Sequence, residues 1–304
     1  MSIALRGVIP AILTPLDQEE RFASKPMEQL LERLYSAGSD GMYVCGQTGE
    51  GLFLPAEDRK QAAEVAVRNS PLGKHVIVHV GASRTAEAVE LARHAAQIGA
   101  HAISSLPPSA AFSFPEVRAY YEAIAAAAGI PVLVYYFPEF SRSVATLDEI
   151  YSLCSIPNVV GLKFTDFDFY RLSLISRAGH VIFSGRDEAF AAGVLMGATG
   201  GIGSFYNIVP ELFVEVWQAG CAGDYKRARA VQDRINDLIR AVLQFPMMPA
   251  LKTILTWSGI DCGPAVAPRR RLTREEEHKL REALTGAGYK PDGFLRRFTT
   301  LATA

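Results

Sequence analysis

The chain has 304 residues, of which 49% are hydrophobic, and its 31 basic and 32 acidic residues nearly cancel. This composition is typical of a globular protein with a large core, and the balanced charge gives no reason to expect nucleic acid or an anionic membrane as a partner. No window approaches the roughly 18 uninterrupted apolar residues of a membrane span.

Eight short apolar runs alternate with helical patterns along the chain. Most runs are too apolar on both faces for a half-exposed sheet, which indicates parallel strands covered by helices. The runs are residues 7–13, 41–45, 75–80, 100–106, 131–136, 158–164, 180–185 and 199–204.

The segments between the runs carry helix signals. In the first segment, apolar residues from Met27 to Tyr35 recur at spacings of three and four, and Gly38 follows as a stop. Three Ser/Thr–Glu pairs fit capping boxes: Ser113 with Glu116, Thr146 with Glu149, and Thr273 with Glu276. After the eighth run, helical patterns cover roughly 208–219, 223–243, 248–258 and 273–286.

Eight β-then-α units at this length predict a (β/α)8 TIM barrel with a C-terminal helical extension. We expect the barrel over residues 1–222 and the extension over 223–304. No Pro/Ser-rich linker lies near residue 220, so the extension should pack on the barrel. A doubly wound sheet is the competing architecture, and it is disfavoured because the chain lacks a strong dinucleotide fingerprint.

In such a barrel, catalytic groups lie at the carboxyl ends of the strands. Lys163 ends the sixth run, where loss of solvation would disfavour its charged form. A neutral amine can attack a ketone and form a Schiff base, but the lysine could also extend to solvent or pair with Asp166. Tyr135 ends the fifth run, where it could move a proton or simply fill the barrel.

Polar and glycine-rich turns follow other strand ends. The turn GQTGEG (46–51) offers backbone N–H groups that suit a carboxylate or phosphate, and it lacks the spacing of a nucleotide-binding loop. Asp187 and Glu188 could bind substrate hydroxyls or cap the next helix. The six histidines stand at non-ligand spacings, so we expect no metal.

The N-terminal stretch lacks the charged-then-apolar layout of a secretory signal. The four cysteines are scattered without a C-x-x-C pair, which is typical of reduced thiols in a cytoplasmic protein. We therefore expect a cytoplasmic location.

Taken together, these positions resemble the pyruvate-dependent class I aldolase superfamily of N-acetylneuraminate lyase and dihydrodipicolinate synthase. The resemblance covers about residues 5–290. Its markers are GVIPAILTP at the first strand, GxTGE from Gly46, YxxP from Tyr135, GLKFTD around Lys163, and GxDE…GATGxIGS from Gly185 to Ser204. The tyrosine and the lysine are 28 residues apart, as in that pattern.

The resemblance implies a Schiff base between Lys163 and the keto carbon of a pyruvate unit, with Tyr135 relaying the proton. It also implies that Thr48 and Gly49 hold the pyruvate carboxylate, that no cofactor is needed, and that the protein is a homotetramer. KFTD and GRDE are closer to the lyase branch, in which the positions matching Gly185, Asp187, Glu188 and Ser204 contact the sugar-acid hydroxyls, with Thr165 close by.

Departures from the family pattern leave alternatives open. The synthase branch has an arginine two residues after the YxxP proline, where this chain has Phe140, and Arg142 lies two residues further on; dihydrodipicolinate synthesis is therefore disfavoured. Gln47 replaces the usual Ser or Thr, and an amide is a poor proton relay. Ser109 stands where the family often has a tyrosine that reaches across a subunit interface.

We therefore expect an aldolase or lyase that cleaves or forms a 2-keto-3-deoxy sugar acid from pyruvate and an aldehyde, with Gln47 near the distal part of the substrate. A sugar-acid dehydratase that uses the same imine is the second hypothesis. A protein that binds pyruvate or a sugar acid with little turnover is the third.

Overall fold

The computed structural model describes residues 5–108 and 110–291; Ser109 and the last thirteen positions of the predicted extension lie outside this range. Eight parallel strands form one sheet, and each lies inside one of the predicted runs. They are β1 (Gly7–Pro10), β2 (Gly41–Val44), β3 (His75–His79), β4 (Ala102–Ser105), β5 (Val132–Tyr136), β6 (Val159–Phe164), β7 (Val181–Ser184) and β8 (Gly200–Gly203).

The strand order excludes the doubly wound alternative. Each strand from β2 to β8 pairs with its neighbour in sequence, and β8 also pairs with β1. A parallel bridge between Ala11 and Tyr43 joins β1 to β2, where the Ile12 amide donates to the Tyr43 carbonyl at 3.0 Å. The sheet is thus a barrel, and the predicted (β/α)8 fold is confirmed.

Helices follow the strands and surround the barrel. They are α1 (Ser24–Ser36), α2 (Ala56–Arg68), α3 (Thr85–Gln97), α4 (Phe114–Ala128), α5 (Leu147–Cys154), α6 (Phe169–Arg177), α7 (Phe190–Leu195), α8 (Pro210–Cys221), α9 (Tyr225–Val242), α10 (Met247–Trp257) and α11 (Arg274–Gly286). Short 3-10 turns cover Gly51–Phe53, Asp187–Ala189 and Phe205–Asn207.

The local signals explain where several helices begin and end. All three predicted capping boxes form, at the starts of α4, α5 and α11. Each satisfies N–H groups that have no partner within the helix. Gly38 follows α1 with a φ of 99°, which strongly favours glycine over residues with a Cβ.

Two apolar cores give the barrel its rigidity. The larger one lies between the strands and the surrounding helices. The smaller one fills the barrel interior, as expected for a closed eight-stranded barrel, and includes Ile9, Tyr43, Ile77, Leu133, Tyr135, Phe183 and Ile202. The barrel interior is therefore packed with side chains, and the polar residues at the carboxyl ends of the strands lie above this packed layer.

The helices after α8 contact the barrel through a buried ion pair. The Lys252 ammonium on α10 lies 3.0 Å from the Glu50 carboxylate in the GQTGEG turn, and both side chains are almost fully buried. Arg269 also pairs with Glu50 at 3.2 Å, and the Val266 amide donates to it at 3.0 Å. Glu50 therefore joins the turn after β2 to the C-terminal helices. The boundary near residue 222 between the barrel and the C-terminal extension stays a prediction.

Across the described ranges, no single helix combines the length and the apolar character needed to cross a bilayer. The pair α9 and α10, bent by 107°, meets these criteria together, by length and composition only.

Candidate active site

Lys163 stands inside the mouth of the barrel, near the end of β6. Its side chain is only 3% exposed. Its ammonium nitrogen lies 3.8 Å from the ring centroid of Tyr135 and 4.6 Å from that of Tyr43. Because it is buried, the side chain does not extend to solvent. Within the described residues no carboxylate lies within 4 Å of its ammonium group, so it does not pair with Asp166 either. The amine is thus buried among aromatic rings.

Tyr135 and Lys163 are direct neighbours because of strand register. They are paired positions on β5 and β6, and their side chains point to the same side of the sheet. The Tyr135 ring packs edge-on against Tyr43 at 6.2 Å and against His79 at 6.1 Å, and it stacks on Phe137 at 6.0 Å. The phenol therefore has a fixed orientation beside the amine.

Tyr43 and His79 complete the floor of the site, and sequence reasoning did not identify either. The Tyr43 hydroxyl donates to Ser104 at 3.1 Å, and burial raises the pKa of this phenol well above its ordinary value. His79 Nε2 accepts from the Leu106 amide at 3.1 Å. Burial, helped by the nearby Arg59 and Lys163 charges, holds the pKa of His79 well below its ordinary value. Both groups are neutral at pH 7. Their inward-pointing positions on β2 and β3 were the signal in the sequence that could have identified them as site residues.

The turn after β2 brings a hydroxyl and backbone groups to the same mouth. Thr14 donates to the Gly49 carbonyl at 2.7 Å, and a Cβ at Gly49 would lie 2.9 Å from the Ile12 carbonyl oxygen. The turn can therefore pack this closely only with glycine. The Thr48 hydroxyl is hydrogen bonded to the Ser204 hydroxyl at 2.6 Å, which joins this turn to the end of β8.

Asp187 is buried and holds the turn after β8. One of its carboxylate oxygens accepts from the Phe205 amide at 2.8 Å, and its main-chain carbonyl accepts from Gln232 of α9 at 2.9 Å. Burial raises the pKa of Asp187 to about 7; the Phe205 N–H and the Lys163 charge oppose the shift, and Glu188 adds to it. Asp187 and Glu188 lie in a 3-10 turn, and the helix that follows it, α7, has Ala189 as its N-cap, so neither acid caps that helix.

Thr165 and Gly185 are in close contact just after the neighbouring strands β6 and β7. A Cβ at Gly185 would lie 2.1 Å from the Thr165 hydroxyl oxygen, so glycine leaves room for that hydroxyl. In the described structure this oxygen is buried without a hydrogen-bond partner, and Thr165 lines the cavity above Lys163. A bound ligand could therefore satisfy it.

These side chains surround one cavity of about 710 Å3. The predicted site residues on its wall are Gln47, Thr48, Tyr135, Lys163, Thr165, Gly185, Asp187, Glu188 and Ser204. Gly49 is not among the lining residues, because it packs behind them against Ile12 and Thr14, which follow β1. Sequence reasoning missed the part of the wall formed by Phe137, Arg186, Phe205, Ile239, Leu243, residues 246–249 and residues 268–270.

The loop after β5 does not bring Arg142 into this cavity. Arg142 and Phe140 line a separate surface cavity beside Phe112. The guanidinium of the synthase branch thus has no counterpart from this loop. Among the described residues, no group of three or more His, Cys, Asp or Glu side chains could hold a metal ion.

Comparisons with known proteins agree with this geometry. The model of the dihydrodipicolinate synthetase family matches residues 4–287. N-acetylneuraminate lyase of Rhizobium meliloti is 34% identical over 283 residues, 92% of this chain and 94% of the relative. The Salmonella typhimurium enzyme of the same name is 36% identical over 268 residues, 87% and 90% of the two chains. The structure of wild-type sialic acid aldolase from Ruminococcus gnavus superposes with a TM-score of 0.89 at 29% identity, over 93% of this chain and 97% of that one.

Proposed function

Because the chain belongs to the dihydrodipicolinate synthetase family and is a pyruvate-dependent class I aldolase, we propose that Lys163 forms the imine and that the substrate is a 2-keto-3-deoxy sugar acid of the N-acetylneuraminate type. The observation that carries the proposal is the buried Lys163 amine beside the Tyr135 ring at the cavity floor. The names of the relatives support the substrate class.

The chemistry follows from this pair of residues. The Lys163 amine adds to the C2 keto carbon, and loss of water gives a protonated imine. This cation accepts the electron pair of the C3–C4 bond as that bond breaks. Tyr135 relays the proton that leaves the C4 hydroxyl, which becomes the aldehyde. The resulting enamine takes up a proton at C3, and water then releases pyruvate and the free amine.

The other predicted residues bind the substrate in this proposal. Thr48 and Gly49 hold the pyruvate carboxylate, and the hydrogen bond between Thr48 and Ser204 supports a fixed geometry for that cradle. Gly185, Asp187 and Glu188 form the wall that would face the sugar hydroxyls. Thr165 would offer its unpaired hydroxyl to the substrate. Gln47, which replaces the Ser or Thr usual in the family, would lie near the distal part of the substrate.

Dehydration of a sugar acid is a second candidate function, and Gln47 is the residue that favours it. Gln47 lines the cavity with an amide, which donates and accepts hydrogen bonds but relays protons poorly. An imine on Lys163 would serve elimination of water as well as C–C cleavage. Product analysis separates the two reactions, because cleavage releases pyruvate and an aldehyde, whereas dehydration gives a keto acid with the full carbon chain.

Imine trapping tests the proposal directly. The protein is incubated with pyruvate and sodium borohydride, and its intact mass is measured. We expect a covalent mass increase in the wild type and in the exposed control Lys226→Ala, and none in Lys163→Ala. Wild-type turnover by Lys163→Ala or Lys163→Arg would show that the mechanism is wrong. Absence of an adduct in the wild type would instead favour a binding protein that has lost pyruvate chemistry.

We also propose a cytoplasmic homotetramer. Four free cysteines, three of them buried, are consistent with a reducing compartment. Tyr170 on α6, Leu195 on α7 and Tyr225 on α9 are large exposed apolar residues on helices that pack in succession, and burial of such residues would favour subunit contact. A monomeric mass by light scattering would contradict the tetramer.

A further inference from the structure

A guanidinium group stands in the wall of the cavity, on the turn after β7. The Arg186 side chain is 14% exposed. Its guanidinium carbon lies 4.4 Å from the ring centroid of Phe167 and 5.7 Å from that of Phe137. The two rings, from the ends of β6 and β5, hold the guanidinium over the mouth of the barrel. The Arg186 side chain is thus held in position by its neighbours and does not extend freely from the surface.

The hydrogen-bonding capacity of Arg186 is only partly used. One terminal nitrogen pairs with Glu139, but that carboxylate is 64% exposed, and ion pairs with exposed carboxylates contribute little. The Arg186 Nε–H is buried and has no hydrogen-bond partner among the described residues. A buried charged donor without an acceptor is unfavourable. An acceptor that enters with the substrate would remove this penalty.

The other arginines near the cavity are engaged elsewhere. Arg269 pairs with Glu50 at 3.2 Å, and its guanidinium lies 4.6 Å from the centroid of the Phe53 ring. Arg270 forms two hydrogen bonds of 2.6 Å to Glu276. Of the arginines that line the cavity, Arg186 is the one with a buried N–H group that has no hydrogen-bond partner within the described structure.

We propose that Arg186 binds a carboxylate at the distal end of the substrate, so that the aldehyde half is itself an acid. This inference rests on the proposed aldolase function. Among the 2-keto-3-deoxy sugar acids it selects the diacids, and N-acetylneuraminate itself, which has one carboxylate, is not one of them. The guanidinium fork is planar and matches a carboxylate with two parallel hydrogen bonds. A dianionic phosphate is disfavoured, because Asp187 and Glu188 line the same cavity.

The first test compares two aldehydes in condensation with pyruvate. Tartronate semialdehyde and glyceraldehyde differ only by a carboxylate in place of a hydroxymethyl group. We expect wild-type kcat/KM to favour the acid, and Arg186→Met to lower kcat/KM for the acid about 10- to 100-fold while changing the neutral aldehyde little. Arg186→Lys should recover part of the preference, since it keeps the charge but loses the fork.

Two controls separate this inference from the aldolase mechanism. Arg142→Met removes an arginine that lines a different cavity and should leave the ratio of the two aldehydes unchanged. The borohydride adduct with pyruvate should persist in Arg186→Met, because it depends on Lys163. An unchanged aldehyde ratio in Arg186→Met would overturn the role of Arg186, even with the adduct intact.

Binding provides a readout that needs no turnover. Calorimetry would compare 2-oxoadipate with 2-oxohexanoate, keto acids of equal chain length with and without a distal carboxylate. We expect wild type to bind the diacid at least tenfold more tightly, and Arg186→Met to bind both alike. Equal affinities in the wild type would overturn the proposal independently of whether the imine forms.

Discussion

Replacing Asp187 by asparagine should change how stability depends on pH. The carboxyl group is buried at the end of β7 and accepts a hydrogen bond from the Phe205 amide. Its pKa is about 7 in the folded protein, against an ordinary value of 3.8. Asparagine has nearly the same shape, and its amide oxygen can still accept from Phe205. The substitution therefore removes the charge and keeps the contact.

The raised pKa determines the sign of the effect. Between pH 3.8 and about 7, the folded wild type holds a proton that the unfolded chain has lost, so its free energy of unfolding falls as pH rises. Above pH 7 both states are ionised, and the penalty is constant at about 4 kcal/mol, from about 1.4 kcal/mol per pKa unit. About 3 kcal/mol of this penalty develops between pH 5 and pH 8.

Urea unfolding in steps from pH 5 to pH 8 measures this dependence. We expect the stability of Asp187→Asn, relative to wild type, to increase by about 3 kcal/mol over that range. The exposed residue Asp148, replaced in the same way, serves as the control and should show no such trend. A difference between Asp187→Asn and wild type that is constant with pH would refute the burial of an ionisable group at this site.

The remaining predictions concern the C-terminal helices. Lys252→Met should lower the free energy of unfolding, measured in urea, by about 3 kcal/mol, because it leaves the Glu50 carboxylate buried without its ammonium partner. The double variant Glu50→Gln/Lys252→Met should recover part of this loss. If it recovered none, that reason would be wrong. Gln232→Leu should raise KM for the aldehyde about tenfold without changing KM for pyruvate, because Gln232 holds the Asp187 turn. The exposed control Gln218→Leu should change neither constant.

These predictions share one structural origin. Glu50 joins the turn that carries Thr48 to α10, and Gln232 of α9 holds the turn that carries Asp187. The hydrogen bond between Thr48 and Ser204 joins the first of these turns to the end of β8, and the Asp187 carboxylate accepts from the Phe205 amide one residue further on. The helices after the barrel thus support the site from two sides, in addition to contributing side chains to the cavity wall.

Much of the fold could be read from local patterns. Each apolar run contains one strand, and Ser113, Thr146 and Thr273 begin helices as their spacing to glutamate predicts. These features depend on residues within a few positions of one another. The placement of Lys163 beside Tyr135 could also be predicted, since consecutive strands of a barrel pair and their carboxyl ends meet on one face.

The sequence by itself therefore determined the eight repeated units and the polar residues at their ends, because periodicity, capping and strand order are local or sequential properties. Only the tertiary structure decided that Tyr43 and His79 form the floor, that Glu50 faces Lys252, and that Arg186 lies close to two rings with a buried, unpaired donor. These contacts join residues far apart in the chain, and they depend on side-chain packing and burial in three dimensions. The alternation along β2 and β3 can indicate that Tyr43 and His79 point inward, but no local pattern says which residues they contact.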